Sequence, residues 1–213
     1  VLIAHVAAHT NSIRLGAGGI MLPNHSPLVI AEQFGTLASL HPDRIDLGLG
    51  RAPGTDQVTM RAMRRDPRAA EDFADDVVEL QAFLSDTSRV AGVNAMPGRG
   101  THVPLYILGS SLYGAQVAAH FGLPFAFASH FAPTHLIDAL RIYRERFSPS
   151  AQLSEPYAMA SMHVIAADTE ESAQRQKELR RRNFTRALFS RQGQKLSDEE
   201  VIEVLKTPQG AHV

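Results

Sequence analysis

The sequence predicts an α/β protein built on a parallel sheet, and three observations carry that expectation. Five apolar runs, at 13–22, 44–50, 104–109, 124–129 and 157–166, have the length and the bounding turn residues of buried strands. Helix-period or small-residue segments separate them. Strand and helix alternate throughout, as parallel pairing requires, because a parallel crossover needs a helix-length connection. An open doubly wound sheet and a closed (β/α) barrel both satisfy this order, and both place ligands at the carboxyl ends of the strands.

The elements follow in chain order. Leu2, Ile3, Val6 and Ala7 lie on one face of a short helix. The first strand, 13–22, leads into the stretch GAGGIMLPNHSP, residues 16–27, where glycines interrupt an apolar run they would weaken. Helix 27–40 starts with Ser26 as N-cap and Pro27 at the first helical position, and its stripe is Ile30, Phe34 and Leu37. Strand 44–50 reads RIDLGLG. Helix 69–85 repeats Phe73, Val77, Leu80 and Leu84. Strand 104–109 leads into a small-residue helix at 112–121 with Ala115, Ala118 and Ala119. Helix 134–147 repeats Leu136, Leu140, Tyr143 and Phe147. The connection 51–68 follows a strand's carboxyl end and reads as a lid, whereas 86–103 precedes a strand and reads as structural. The basic run at 175–186, interleaved with Leu179 and Phe184, reads as a solvated helix face.

Composition narrows the function. At 213 residues and 44% hydrophobic, the chain can bury a sizeable core. A net charge of −1 offers no electrostatic reason for nucleic acid or an anionic membrane. With no cysteine, disulfides, thiolate metal sites and cysteine nucleophiles are excluded. Apolar runs stop short of the roughly 18 residues of a membrane span, and a cytoplasmic location is expected. The chain opens VLIAHVAAHT without Met and closes TPQGAHV, which reads as a fragment of a longer protein.

Two stretches carry candidate chemistry. LGLGRAPG, 47–54, ends a strand, but its G-x-G-x-x-x-G spacing and Pro53 do not fit a dinucleotide fingerprint, which needs a helix to start at once. Gly50 instead lets the backbone approach a ligand and Arg51 projects a charge; the bland reading pairs Arg51 with Asp56. In LGSSLYGAQVAAHFGLP, 108–124, strand runs into helix through Gly109, Ser110 and Ser111. Free amides and two hydroxyls there suit a phosphate, or the serines simply cap the helix. His25, His130 and His135 fall near strand ends, His130 best placed for a pocket, yet no histidine spacing suits a metal and no G-x-S-x-G elbow occurs.

The stretches GAGGIMLPNHSPLVIAEQFGTLASLHPDRIDLGLGRAPG and PLYILGSSLYGAQVAAHFGLPFAFASHFAP together resemble the luciferase-like, flavin-dependent monooxygenases. The resemblance spans about residues 1–167, with a weakly matched helical tail over 170–213 of what is expected to be one incomplete barrel domain. It implies part of a (β/α)8 TIM barrel of about five parallel strands with outer helices, lacking the first two strands and the last. It implies FMN as cofactor, delivered reduced by a separate flavin reductase, O2 as co-substrate, and a homodimer through 1–10 and 27–40. By position, Gly18-Gly19 would be a cis peptide under the flavin ring. Arg51, Gly109, Ser110, Ser111, Leu112 and Tyr113 would hold the flavin phosphate. Met21, His25 and His130 would line the substrate pocket, with His130 a catalytic candidate, since the family's Glu-His-His segment lies before residue 1. Ile20, Met21, Phe127 and Phe131 suggest a hydrophobic small substrate. A non-catalytic flavin-binding or structural relative, and a deazaflavin-dependent dehydrogenase on the same barrel, are the alternatives.

Overall fold

The computed structural model describes residues 1–52, 54–130, 132–190, 195–207 and 210. They form two compact units, Val1–Met162 and His163–Val213. The first unit runs α1 (Leu2–Ala8), β1 (Leu15–Met21), α2 (Pro27–Leu40), β2 (Ile45–Gly50), α3 (Gln57–Ala62), α4 (Phe73–Leu84), β3 (Leu105–Gly109), α5 (Leu112–Phe121), β4 (Phe125–Phe127), α6 (Leu136–Glu145) and β5 (Ala158–Ala160). The second holds α7 (Glu170–Phe189) and α8 (Asp198–Leu205). There Thr169 caps α7 through the Ser172 amide, and Ser197 with Glu200 forms a capping box on α8. The basic run lies along α7, where Leu179 and Leu188 are exposed.

All five strands pair in parallel, in the order β1-β2-β3-β4-β5. A doubly wound sheet reverses its strand order partway, and a barrel does not. The observed order therefore settles the choice left open by periodicity: the sheet is a consecutive run of barrel strands with helices outside. Pleating divides its residues between two faces. Ile45, Leu47, Leu49, Leu105, Ile107, Phe125 and Phe127 are buried and share one core with Ile30, Phe34, Val77, Leu80, Ala118 and Tyr143 of the helices. Tyr143 also ties α6 to the sheet: its hydroxyl donates to the Leu123 carbonyl at 2.9 Å and accepts from the Tyr157 amide at 3.1 Å.

β1 holds the main irregularity. Ala17 pairs with Leu47 and Ile20 with Leu49, so Gly18 and Gly19 together oppose Gly48. This is a β-bulge, and its extra residue reverses which face each later side chain takes. Leu15 and Ala17 share a face with Ile45 and Leu47 before the bulge, and Ile20 shares a face with Leu49 after it. Met21 is thereby turned to the opposite face, beside Gly50. The strands approach closely here: a Cβ on Gly48 would lie 2.3 Å from the Ala17 carbonyl oxygen, and one on Gly19 would lie 2.7 Å from that of Gly48. The Gly18–Gly19 peptide is cis, as the resemblance implied.

Two expectations are corrected, and a third gains detail. The run 157–166 is strand only over Ala158–Ala160, since β5 is the edge of this sheet and takes ladder bonds from β4 alone; Met162 beyond it is 81% exposed. The connection 51–68, read as a lid, has helical structure of its own. It carries α3, capped by Asp56, and a short 3-10 turn at Pro67–Ala70, capped by Asp66. Ser26 occupies the N-cap of α2, but its hydroxyl makes no cap bond, leaving Pro27 as the start signal. The connection 86–103 is structural, as read: it buries Ala95 and Val103 and lays Gly98 against Ala31 and Gly35 of α2.

One acid in α4 makes stability depend on pH. Asp76 has its pKa raised from 3.8 to about 6, first by desolvation and then by Asp72, Glu79 and Asp75, with Arg65 opposing. A carboxyl that holds its proton more tightly when folded favours folding at low pH and loses that advantage as pH rises through its folded value. Stability should therefore fall between about pH 4 and pH 6 on this account. Asp76→Asn should flatten that fall and raise the melting temperature at neutral pH. The full shift would be worth about 3 kcal/mol, but solvent screening of this half-exposed group cuts it to about 1 kcal/mol, or about 2–4 °C. Melting curves of both proteins across pH check this; parallel curves would rule it out.

Candidate functional site

A cavity of about 820 Å³ opens at the carboxyl ends of the strands, within the range of small-molecule sites. One pleat row builds its wall: Met21, Gly50, Leu108, Ala126 and Met159 are consecutive ladder partners across all five strands, and all five line the cavity. Gly18 and Gly19 complete this surface. A Cβ added at Gly18 would meet nothing within 4 Å, so the missing side chain leaves room on the cavity side of the strand. Gly18, Gly19 and Gly50 thus leave part of this wall free of side chains.

The other end is polar. Arg51 follows β2, and its guanidinium carbon sits 4.3 Å from the centroid of the Tyr113 ring. This cation–π contact holds the charge beside the start of α5. Asp56, the partner of the bland reading, instead accepts from the amides of Val58 and Thr59, and those bonds lower its pKa. Gly109 and Ser110 lead into α5, and Ser111 is its N-cap in extended conformation with no side-chain bond to the helix amides. Simple capping by the Ser111 hydroxyl is therefore not what the structure shows. Gly109, Ser110, Ser111, Gly114 and Tyr113 all line the cavity, so the start of α5 and Arg51 border the same space.

The predicted residues do not all converge. Gly18, Gly19, Met21, Arg51, Gly109, Ser110, Ser111, Tyr113 and His130 line the cavity. Leu112 does not; it packs against the hydrophobic core, because the first turn of α5 directs it there. His25 also lies outside the lining, beyond the short 3-10 turn Leu22–Asn24 that carries the chain away from β1. Desolvation and then the charge of Arg65 lower its pKa. Ile20 packs against the core, and Phe131 lies outside the described residues. Sequence reasoning missed Phe73, read only as a core residue of its helix, and Ser161. Ser161 had a signal: it is a hydroxyl set in the apolar run YAMASMHVIA, near a strand's carboxyl end. It bonds to His130, with Oγ 2.6 Å from Nδ1.

Fold and site together define a class: an α/β-barrel protein with a cavity at its strand ends, lined by glycines of β1 and β2 and by Arg51 and the start of α5. The chain belongs to the luciferase-like monooxygenase family, whose model matches residues 1–207, beyond the 167 reached by the sequence resemblance and into the helical tail. It is 56% identical over 175 residues to a luciferase-like monooxygenase of Escherichia coli, covering 82% of this chain and 52% of that protein. It is 34% identical over 182 residues to N-acetyl-S-alkylcysteine monooxygenase of Bacillus subtilis, covering 82% and 54%. The crystal structure of apo-MsnO8 superposes with a TM-score of 0.80 at 34% identity, covering 97% of this chain and 62% of that one. A more distant relative, 27% identical over 181 residues, is an F420-dependent glucose-6-phosphate dehydrogenase of Nocardia farcinica, covering 78% of this chain and 50% of that protein. The chain spans about half the length of the curated relatives it matches. Among the described residues, no helix is long and apolar enough to cross a membrane.

Proposed function

We propose that the chain carries the flavin site of an FMN-dependent monooxygenase that receives reduced FMN from a separate reductase, uses O2, and acts on a small hydrophobic molecule. The observation that carries this reading is the polarity of one cavity: a side-chain-free glycine surface at one end and a cation beside a helix start at the other. A planar ring system joined to a phosphate by a short chain matches both ends. In this reading Gly18 and Gly19 admit the ring, while Arg51 and the amides and hydroxyls of 109–111 hold the phosphate. The contact with the Tyr113 ring biases the exposed Arg51 side chain toward the start of α5. Phe73, Met159 and Phe127 give the substrate region an apolar wall that excludes water. FMN, when bound and reduced, supplies the electrons and the atom at which oxygen is activated. The exposed Leu2, Val29 and Leu40 of α1 and α2 support a homodimer through 1–10 and 27–40.

A second reading, a deazaflavin-dependent dehydrogenase, is favoured by the F420-dependent relative. Fluorescence titrations with FMN and with F420, followed by oxygen uptake with reduced FMN, test both. Saturable FMN binding is expected. F420 binding without FMN binding would move the assignment to the dehydrogenase, and no binding of either would leave a structural relative.

A further inference from the structure

The last turn of α1 carries a pair of histidines away from the cavity lining. HVAAH, residues 5–9, sets them at the i, i+4 spacing at which two helical imidazoles share one face and bind zinc. This corrects the expectation that no histidine spacing suits a metal. The rings do meet: their centroids are 4.4 Å apart and their planes are tilted by 41°. Both residues are exposed. His9 is the C-cap, and its amide turns to the Val6 carbonyl at 3.2 Å, which leaves the His5 carbonyl for the His9 ring, with Nδ1 2.8 Å from that oxygen.

A carbonyl oxygen can only accept, so His9 Nδ1 carries the proton and Nε2 of the neutral ring carries the lone pair. A ring N–H given to a backbone carbonyl fixes both tautomer and orientation, and metal-ligating histidines are held in this way. The turn beneath is fixed as well. A seven-residue helix is marginal by itself, but Ala7 is buried and Ile3 packs against the core. Arg44, just before β2, donates to the carbonyls of Ala7 at 3.2 Å and Thr10 at 2.7 Å and to Thr10 Oγ1 at 2.7 Å. Thr10 Oγ1 in turn donates to the Val6 carbonyl at 2.7 Å. The histidine pair therefore stands on a tethered turn and not on a fraying end.

We propose that His5 and His9 form a two-histidine site for a divalent transition-metal ion of the Zn2+, Ni2+ or Cu2+ class, bound through Nε2 of His9 and one ring nitrogen of His5. A tetrahedral zinc with Zn–N distances of about 2.0–2.1 Å holds two nitrogens about 3.4 Å apart, a separation that rings with centroids 4.4 Å apart supply by small side-chain rotations. Imidazole selects these ions over Mg2+ and Ca2+, which take oxygen ligands. Among the described residues no third His, Cys, Asp or Glu joins the pair, so water completes the coordination sphere. Leu2 lies on the same helix face, three residues before His5, so two copies meeting through α1 would share one ion. The site does not rest on the flavin-site reading above.

The test is ion binding by the whole 213-residue chain at about pH 7.5, where an ordinary imidazole is neutral. Zinc chloride is titrated calorimetrically in the presence of excess Mg2+. The expected result is one strongest site per chain, or one per two chains where copies meet through α1. His5→Gln and His9→Gln should each weaken that site by at least about tenfold, since losing a ligand costs no less than losing a ligand's own partner. The double variant should bind about as weakly as the weaker single variant, because one chelate is lost only once. His120→Gln, which removes an exposed histidine elsewhere, should change nothing. Substoichiometric Cu2+ adds a spectroscopic check: its electron paramagnetic resonance should show two imidazole nitrogens in the parent and fewer in either single variant. Circular dichroism establishes that the variants are folded. Folded variants that bind Zn2+ as tightly as the parent, or single losses that simply add in the double variant, overturn the site.

Discussion

Arg51→Ala is expected to weaken FMN binding by about 10- to 100-fold, because it removes a charge-assisted contact to phosphate worth about 1.5–3 kcal/mol. The argument is geometric as well as electrostatic. Arg51 is held over the Tyr113 ring, so its charge stands at the cavity corner before any ligand arrives. Ligand binding then spends little on ordering a long side chain. Riboflavin, which has the ring but no phosphate, makes the discriminating control. Its affinity should be the same in the parent and in Arg51→Ala, and only the FMN affinity should fall with added salt. Fluorescence-quench titrations with both ligands check this. Equal affinity of the variant and the parent for FMN would remove Arg51 from the site.

The second large effect lies outside the cavity. Gly35→Ala is expected to destabilise the fold by about 3 kcal/mol, although alanine favours a helix over glycine by about 1 kcal/mol. The two effects have opposite signs, so the measurement decides between them. A Cβ on Gly35 would lie 2.0 Å from the Gly98 Cα, and one on Gly98 would lie 2.5 Å from the Ala31 carbonyl oxygen. Backbone meets backbone, and no side chain can rotate aside to relieve the overlap. Because Gly35 is buried in α2 and the 86–103 connection is seated on it, the substitution pushes that connection off the helix. Urea unfolding with Gln33→Ala as an exposed control checks this. A Gly35→Ala protein as stable as the parent would show that the connection moves freely.

How much of this was legible in the sequence depended on distance along the chain. α2 and α5 have the boundaries read from sequence, Pro27–Leu40 and Leu112–Phe121, because cap positions and helix period are local properties. β5 was overread, since an apolar run reports burial but not the number of neighbouring strands available for pairing. The bulge in β1 had a partial trace. The apolar positions change from Leu15 to Ile20, odd to even, across Gly18-Gly19, which is the parity change that one extra residue makes. Arg51 and Tyr113 were both singled out, but not as partners, because a ring one βα unit away can be set against the charge only by the fold.

The residues themselves thus determined the alternating α/β order, the strands' apolar core, and the family to which the chain belongs, all carried by local period and contiguous motif. Only the tertiary structure decided between the two sheet orders that periodicity allowed, turned Leu112 and Ile20 to the core, and laid Gly98 against Gly35. It alone joined Ser129, His130 and Ser161 into one hydrogen-bonded chain. Each of these depends on which distant segments meet and at what register, and a register shift of one residue reverses every side chain after it.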